Sequence, residues 1–387
     1  MEPMLYDSPM RRSRVVDRHA CAFGVASSPA SHRSRRFRPG EGRTCQLSRM
    51  APHRSDGTGM GVSMAAADSG KEAVVIPVLS LASPAKINVF LRILGKRPDG
   101  FHELASLFQA VSLQDNLHFE RKDDDDTARD SMECNVAGIP TDDSNLILKA
   151  LAVFRERTGC TQKFHVKLDK RVPFEAGLGG GSANAATTLW AVNEMCGRPA
   201  TDEQLAEFGA QFGSDISFFL SSGTAYCTGR GEILRSLPPL TKPSAMFIVK
   251  PNFGLSTGKV FQTMDYERLS KRDPELLLNE IMESANEGLI SPAACLNDLE
   301  EPSFRLEPKM GELKTKLASF GFDIVLMSGS GTSFFCIGRP HALLLGTGER
   351  DPRNMSDVLR TILGPAFPGV FVEQCTFVNR CAGQWYA

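Results

Sequence analysis

A run of glycines is the feature that most limits how this chain can fold, because residues 177–181 hold four glycines in five positions. Glycine weakens the interior of both helices and strands, so we expect a loop whose backbone comes close to another group. The alternation at His165–Asp169 predicts a strand before this loop, and Ser182–Val192 predicts a helix after it. A strand, a glycine loop and a new helix N-terminus gather free N–H groups at a positive dipole end. The pattern therefore predicts an anion site, most often for phosphate.

Neither of two common phosphate-binding motifs matches this loop. The P-loop ends in Gly-Lys-Ser/Thr, whereas Gly181 is followed by Ser182 and Ala183. The dinucleotide fingerprint needs a glycine at its sixth position, which Ser182 occupies here. Taken alone, the loop leaves a flexible turn without a ligand as the alternative.

Composition narrows the expected partners to small molecules. The formal net charge of -1 gives no general case for binding nucleic acid. No apolar run approaches the roughly 18–20 residues of a membrane-spanning helix, so we expect no membrane partner either. The ten cysteines include no Cys-x-x-Cys pair, which favours a reducing compartment and no cysteine-based metal site. Cys375 and Cys381 could form a redox pair, although two unrelated thiols are the favoured interpretation.

The first 74 residues differ from the rest of the chain. Up to about residue 72 they are rich in Arg, Ser, Ala, Gly and Pro and lack apolar periodicity. This composition is typical of an organelle transit peptide, and a disordered basic tail without an address is the alternative. Residues 1–74 are therefore not expected to contribute to the fold, and the folded part is expected to begin near Val75.

Strands and helices are mixed without regular alternation, which predicts an α+β fold. Ile87–Ile93 alternates as a strand with one buried face, and Asn145 is expected to open a helix. A proline-rich stretch, Pro238–Pro243, predicts a boundary between domains at 75–243 and 244–387. The further expected features are a capping box at Thr201-x-x-Gln204, strands at Ala245–Val249 and Phe322–Met327, a solvated acidic loop at Asp123–Asp126 and a loop insertion at 344–358.

Three separate stretches carry a resemblance to a known superfamily. They are Pro84–Asn88, the glycine loop in Pro173–Ser182, and the small-residue loop Ser328–Gly331. Together they resemble the GHMP kinases, which phosphorylate small molecules with ATP. The resemblance implies a two-domain fold with the active site in the cleft between the domains, and ATP with Mg²⁺ as cofactors.

Four further segments resemble one family within that superfamily, the 4-diphosphocytidyl-2-C-methyl-D-erythritol kinases. They are Pro98–Leu104, Gly213–Phe219, Thr228–Glu232 and Asn297–Glu300, and the likeness extends over residues 80–385. It implies transfer of the ATP γ-phosphoryl to the 2-hydroxyl of the cytidine-diphosphate-linked methylerythritol, in the methylerythritol phosphate pathway to isopentenyl diphosphate. In eukaryotes that pathway lies in plastids, which agrees with the basic leader. The alternatives are another GHMP kinase of homoserine or mevalonate type, and a non-catalytic relative that only binds a ligand.

The resemblance also assigns catalytic and nucleotide-binding roles. Asp215 matches the carboxylate that accepts the hydroxyl proton, and Lys86 matches the lysine that pairs with it. Taken alone, Asp215 could instead cap a helix and Lys86 could be a charge at a strand rim. The implied ATP-binding residues are Gly177, Leu178, Gly179, Gly180, Gly181, Ser182, Ala183, Asn145 and Leu146. Ser182 could cap the helix as well as touch a phosphate or Mg²⁺, and Lys170 could also line this site.

The implied acceptor site depends on residues from several segments. Phe101 stands where the family often has Tyr, which removes one hydroxyl and keeps the ring. Phe261 is expected to stack on cytosine, with an ordinary core position as the alternative. The complete implied set is Asn88, Phe101, His102, Thr257 and Phe261.

Overall fold

The computed structural model describes residues 78–123, 129–341 and 355–386. The expected leader at 1–74 lies outside the described residues, as do all but a few residues of the insertion at 344–358. Most of the acidic run Asp123–Asp126 lies outside them as well. In the described part, no helix has both the length and the apolar character needed to cross a membrane.

A six-stranded sheet carries the first half of the described chain. The strands are β1 (Val78–Lys96), β2 (His102–Arg121), β3 (Ser131–Cys134), β4 (Phe164–Asp169), β5 (Thr224–Thr228) and β6 (Ile233–Ser236). At the centre, β1 and β2 form a long antiparallel pair, and β2 also pairs with β4 and β5. The order is β3-β4-β2-β5-β6, with β1 paired to β2.

Four helices belong to this part of the chain, and local signals set their ends. The Asn145 side chain accepts from the N–H of Ile147, which confirms the predicted start of the first helix. The capping box between Thr201 and Gln204 is also confirmed. The second helix contacts both the first helix and β1. The helices are α1 (Leu146–Thr158), α2 (Gly180–Met195), α3 (Asp202–Ala210) and α4 (Ile216–Phe219).

An antiparallel four-stranded sheet follows. Its strands are β7 (Met246–Lys250), β8 (Ile324–Met327), β9 (Phe334–Ile337) and β10 (Phe371–Cys375), in the order β10-β7-β9-β8. The predicted strands at Ala245–Val249 and Phe322–Met327 are confirmed, with slightly shifted ends. The helices are α5 (Thr257–Thr263), α6 (Pro274–Asn286), α7 (Glu300–Leu306), α8 (Pro308–Ala318) and α9 (Met355–Leu363), with single 3₁₀ turns at Tyr266–Arg268 and Pro292–Ala294.

These elements confirm the α+β class, and the division at Pro238–Pro243 stays a prediction. Cys375 and Cys381 are both free thiols, the first buried at the end of β10 and the second exposed.

The prediction that β1 buries only one face is wrong. Asn88, Phe90 and Arg92 are 2%, 0% and 4% exposed, as buried as the apolar residues between them. Burying a polar side chain costs free energy unless it has a hydrogen-bond or ion-pair partner, and these side chains have such partners. Asn88 donates to the Ser106 hydroxyl, and Arg92 is ion-paired with Asp298. Other elements therefore cover both faces of β1, and the polar residues that alternate along it are buried although their spacing predicts exposure to solvent.

Candidate active site

The glycine loop lies between β4 and α2 and adopts a backbone that requires glycine. Gly177 and Gly179 have φ of 73° and 68°, in the left-handed region. A Cβ at Gly177 would lie 2.0 Å from the carbonyl oxygen of Ser328. A Cβ at Gly179 would lie 3.1 Å from Cγ of Lys86. The loop is thus packed closely against both the second small-residue loop and the lysine side chain.

A cavity of about 410 Å³ opens beside this loop. Asn145 and Leu146, at the start of α1, line it together with Lys170. The Lys170 ammonium is 2.6 Å from Oδ2 of Asp115, a carboxylate with no exposed surface, so that this lysine is held by a buried ion pair. From the implied ATP site, the residues that line the cavity are Asn145, Leu146, Gly177, Leu178, Gly179, Gly180, Gly181 and Ser182, whereas Ala183 is fully buried in α2.

The first turn of α2 borders the cavity without a side-chain cap. The helix begins at Gly180, and its N-cap residue Gly179 can offer no side chain. The expectation that Ser182 caps this helix is therefore wrong, because Ser182 already lies within the first turn. Helix N–H groups that no side chain satisfies are suited to an anion.

Lys86 and Asp215 come together beside the glycine loop. Nζ of Lys86 lies 3.4 Å from Oδ2 of Asp215, and their side chains are 5% and 28% exposed. Asp215 occupies the N-cap position of α4, yet its side chain makes no capping hydrogen bond. The helix-cap alternative for Asp215 and the rim-charge alternative for Lys86 are both wrong. The structure leaves one carboxylate partly open to solvent beside a buried ammonium.

Three contacts orient Lys86. Its Nζ donates to Oδ1 of Asn88 at 2.8 Å and lies 4.6 Å from the centroid of the Phe108 ring. Its backbone N–H donates to the carbonyl of Leu178 at 2.9 Å, which ties β1 to the glycine loop. Asn88, expected on the acceptor side, thus lies next to the ammonium and is itself buried. This arrangement fixes a positive charge in one place, as electrostatic stabilisation of a developing negative charge requires.

Aromatic side chains gather where the acceptor residues were expected. His102 stacks on Phe261 with ring centroids 4.6 Å apart and an interplanar angle of 21°. Phe261 is half-buried and packs partly against the core of the second sheet, and its stacking on cytosine stays a prediction. Nε2 of His102 is 2.7 Å from the Tyr266 hydroxyl. Burial, assisted by the nearby Lys96 charge, lowers the pKa of His102, so that the ring is neutral at pH 7.

The remaining two expected acceptor residues are Phe101, directly before β2, and Thr257, the first residue of α5. Phe101 is 55% exposed, and the Arg230 guanidinium carbon lies 5.0 Å from its ring centroid. Thr257, at the start of α5, has its hydroxyl 2.8 Å from that of Ser330 in the second small-residue loop. No motif in the sequence selects Tyr266 or Arg230 as a site residue. The only available signals were the short spacing from Phe261 to Tyr266 and the position of Arg230 within the Thr228–Glu232 segment.

The segment Asn297–Glu300 supports the second small-residue loop. Nδ2 of Asn297 donates to the carbonyls of Met327 and Gly329, both at 2.8 Å. Glu300 accepts from the N–H of Met327 at 3.0 Å, and burial raises the pKa of its carboxyl. The loop in turn reaches the glycine loop, because the Ser328 hydroxyl donates to the carbonyl of Gly177 at 3.0 Å. The motif therefore positions a loop of the site without lining the cavity beside the glycine loop.

Replacing Asn297 with alanine is expected to lower the free energy of unfolding by about 2–3 kcal/mol, since two buried carbonyls lose their donors. Denaturant unfolding measures this change. Glu301→Gln is the matched control, because its ion pairs with Arg268 and Arg305 are exposed and their loss is expected to cost under about 1 kcal/mol. An Asn297→Ala protein as stable as this control would contradict the positioning role.

Comparisons with known proteins agree with this geometry. The model for the GHMP kinases N terminal domain matches residues 145–223, which include the glycine loop and Asp215. A solved structure of 4-(cytidine 5'-diphospho)-2C-methyl-D-erythritol kinase superposes with a TM-score of 0.61 at 29% identity, covering 77% of this chain and 99% of that one. A homoserine kinase from Cytophaga hutchinsonii has a TM-score of 0.59 at 16% identity and shares the fold.

Sequence relatives narrow the assignment. A chloroplastic 4-diphosphocytidyl-2-C-methyl-D-erythritol kinase from Mentha piperita is 43% identical over 313 residues, covering 80% of this chain and 72% of the relative. The corresponding kinase from Protochlamydia amoebophila is 48% identical over 261 residues, covering 67% of this chain and 85% of the relative. Identity at this level over most of both chains confirms the resemblance found in the motifs. The chain belongs to the 4-diphosphocytidyl-2-C-methyl-D-erythritol kinase family of the GHMP kinases.

Proposed function

We propose that this chain transfers the γ-phosphoryl group of ATP to the 2-hydroxyl of 4-diphosphocytidyl-2-C-methyl-D-erythritol. The main observation in favour is the Lys86–Asp215 pair, 3.4 Å apart, directly beside the glycine loop. Phosphoryl transfer needs alignment, charge neutralisation and a group to receive the proton. The chain offers a candidate for each requirement within one site.

The acceptor is a tertiary alcohol and therefore a poor nucleophile at neutral pH. Asp215 accepts its proton as the oxygen bonds to the γ-phosphorus and the bond from that phosphorus to the β,γ-bridging oxygen breaks. Lys86 holds a positive charge beside the reacting oxygens, where negative charge develops. The exposed edge of Asp215 and the buried position of Lys86 suit these different tasks.

The glycine loop and the first turn of α2 are proposed to hold the triphosphate through their N–H groups. Asn145 and Leu146 line the same cavity, and the adenine is proposed to bind against them. Mg²⁺ would neutralise the phosphate charge when bound; it keeps several waters and binds largely through the nucleotide phosphates. Ser182 is the residue of this turn whose hydroxyl could ligate it.

The acceptor's cytosine is proposed to stack on Phe261 and to be held by His102, with Phe101 and Thr257 nearby. Substituting Phe261 with alanine is then expected to raise the KM for the cytidine substrate roughly 5- to 100-fold, since stacking on an aromatic ring is lost. The KM for ATP should not change, and measuring both constants on one preparation provides the internal control. Equal increases in both would argue against this assignment. Tyr266→Phe, which keeps the ring and loses the hydrogen bond to His102, should have a smaller effect.

One experiment separates the proposed activity from its alternatives. The purified chain is incubated with ATP, Mg²⁺ and, in turn, the cytidine substrate, homoserine or mevalonate. We expect product with the cytidine substrate alone. Turnover of homoserine or mevalonate would favour another GHMP kinase, and binding of ATP without product from any acceptor would favour the non-catalytic alternative.

The chain is further proposed to act in the plastid and to fold as two domains, 75–243 and 244–387. The chloroplastic names of relatives from Mentha piperita and Arabidopsis thaliana and the basic composition of residues 1–74 favour this location. Fusing residues 1–74 to a fluorescent protein tests it, and signal outside plastids would contradict it. Limited proteolysis near Pro238–Pro243 tests the division.

A further inference from the structure

Two cysteines outside the candidate active site lie in direct contact. The Sγ atoms of Cys160 and Cys196 are 2.9 Å apart, and both thiols are free and half-buried. A disulfide bond is about 2.05 Å long, so that the two sulfurs need to approach by roughly 1 Å to become bonded. Cys160 follows the residue that caps the C-terminus of α1, and Cys196 caps the C-terminus of α2.

The position of this pair relates it to the nucleotide cavity. The N-terminal ends of α1 and α2, at Leu146 and Gly180, both border that cavity, whereas the opposite ends meet at the two cysteines. The two helices also pack against each other. A bond between Cys160 and Cys196 would therefore join the far ends of the two helices that form the cavity wall. It would also close a covalent loop of residues 160–196, which contains β4, the glycine loop and α2.

We propose that Cys160 and Cys196 form a redox-active dithiol whose oxidation to a disulfide cross-links the C-terminal ends of α1 and α2. The oxidant is a disulfide, either of a low-molecular-weight thiol or of a dithiol–disulfide oxidoreductase. The thiolate of one cysteine attacks one sulfur of that disulfide and releases the other as a thiol. The second cysteine then attacks the mixed disulfide at the sulfur of the first and releases the second thiol. The two cysteines lose two protons and two electrons in total, and both pass to the oxidant.

Both cysteines share the same charged surroundings. The Arg155 guanidinium lies close enough to act on both sulfurs. Burial, together with the contact from Cys160, raises the pKa of Cys196 to about 12. Either cysteine can make the first attack, and the other then resolves the mixed disulfide.

We expect formation of the disulfide to raise the thermal stability of the protein and to leave its turnover rate nearly unchanged. The closed ring reduces the freedom of the unfolded chain, so that the oxidised form should melt roughly 5 °C higher than the reduced form. The sulfurs lie about one helix length, or roughly 24 Å for α2, from the cavity. Because they move so little, kcat and the KM for ATP should change less than about twofold.

The test is a redox titration of the full chain with mixtures of oxidised and reduced glutathione. Peptide mapping by mass spectrometry should find Cys160 joined to Cys196, and the thermal midpoint should rise with the fraction joined. Cys160→Ser and Cys196→Ser should lose this response, whereas Cys381→Ser, which removes an exposed thiol, should keep it. Glutathione stably attached to either cysteine without the internal bond, or an internal bond that leaves the midpoint unchanged, would overturn the proposal. Comparing oxidised and reduced wild-type protein keeps the test valid if a serine variant folds poorly.

Discussion

Replacing Asp215 with asparagine is expected to lower the kcat of phosphoryl transfer by about 10²–10⁴-fold, because the amide cannot accept the proton of the attacking hydroxyl. The substitution keeps the shape of the side chain and removes its charge. The fold should remain intact, since the Asp215 side chain caps no helix and is 28% exposed. Steady-state kinetics with saturating ATP and cytidine substrate measure the loss, and the thermal unfolding midpoint reports the fold.

Asp357→Asn is a matched control, because this carboxylate is 73% exposed and its partner, Arg360, lies one helical turn away. It removes an identical charge without affecting the site, so that its kcat should equal that of the wild type. Asp215→Asn turnover within a factor of two of this control would remove Asp215 as the proton acceptor. The positions of Lys86 and the glycine loop would then need another chemical explanation.

Local sequence patterns predict the local structure around the site well. The glycine run, the alternation of β4 and the small residues of α2 lead directly to a strand, a loop and a helix in that order. Asn145 and the Thr201–Gln204 box act as helix starts through contacts within one turn, which residue spacing can reveal. Such features depend on neighbours in sequence, and a single sequence contains them.

The composition of the site could not be derived in this way. Lys86 meets Asp215 only because the long β1–β2 pair and α4 fold onto the glycine loop. The spacing of the two residues in the sequence does not predict that contact. The family resemblance supplied the pairing. Asp215 also shows how local logic fails, since its position is that of a helix cap while its side chain turns to Lys86 instead.

Buried polar groups account for the other errors. The alternation in β1 predicts one solvent-exposed face. Asn88 and Arg92 are buried instead, because residues distant in sequence provide a hydrogen bond to Asn88 and an ion pair to Arg92. Asn297 supports a loop thirty residues further along the chain, and Tyr266, in a 3₁₀ turn, contacts His102 of β2. A hydrogen-bonding side chain in a sequence does not reveal whether water or a distant partner will satisfy it.

The close approach of the two small-residue loops leads to the second large effect. Gly177→Ala is expected to lower the free energy of unfolding by about 2–4 kcal/mol and kcat/KM for ATP by about 100-fold. The new Cβ would lie 2.0 Å from the carbonyl oxygen of Ser328 and 3.0 Å from its carbonyl carbon. Both are backbone atoms, so that no side-chain rotation relieves the overlap. The φ of 73° is also unfavourable for alanine.

Two other glycines separate this overlap from the general effect of adding a methyl group. Gly311→Ala, whose Cβ would meet nothing closer than 3.9 Å, should be as stable as the wild type or slightly more stable because it lies within α8. Gly181 lies four residues after Gly177, in the first turn of α2, and the Cβ of Gly181→Ala would be in ordinary contact at 3.5 Å from Leu146, so that the fold should persist. Measured by denaturant unfolding and by ATP kinetics, the three variants should differ in the order of overlap. If Gly177→Ala matches Gly311→Ala in both measurements, the two loops do not depend on their close contact. The second loop would then have no part in setting the shape of the nucleotide cavity.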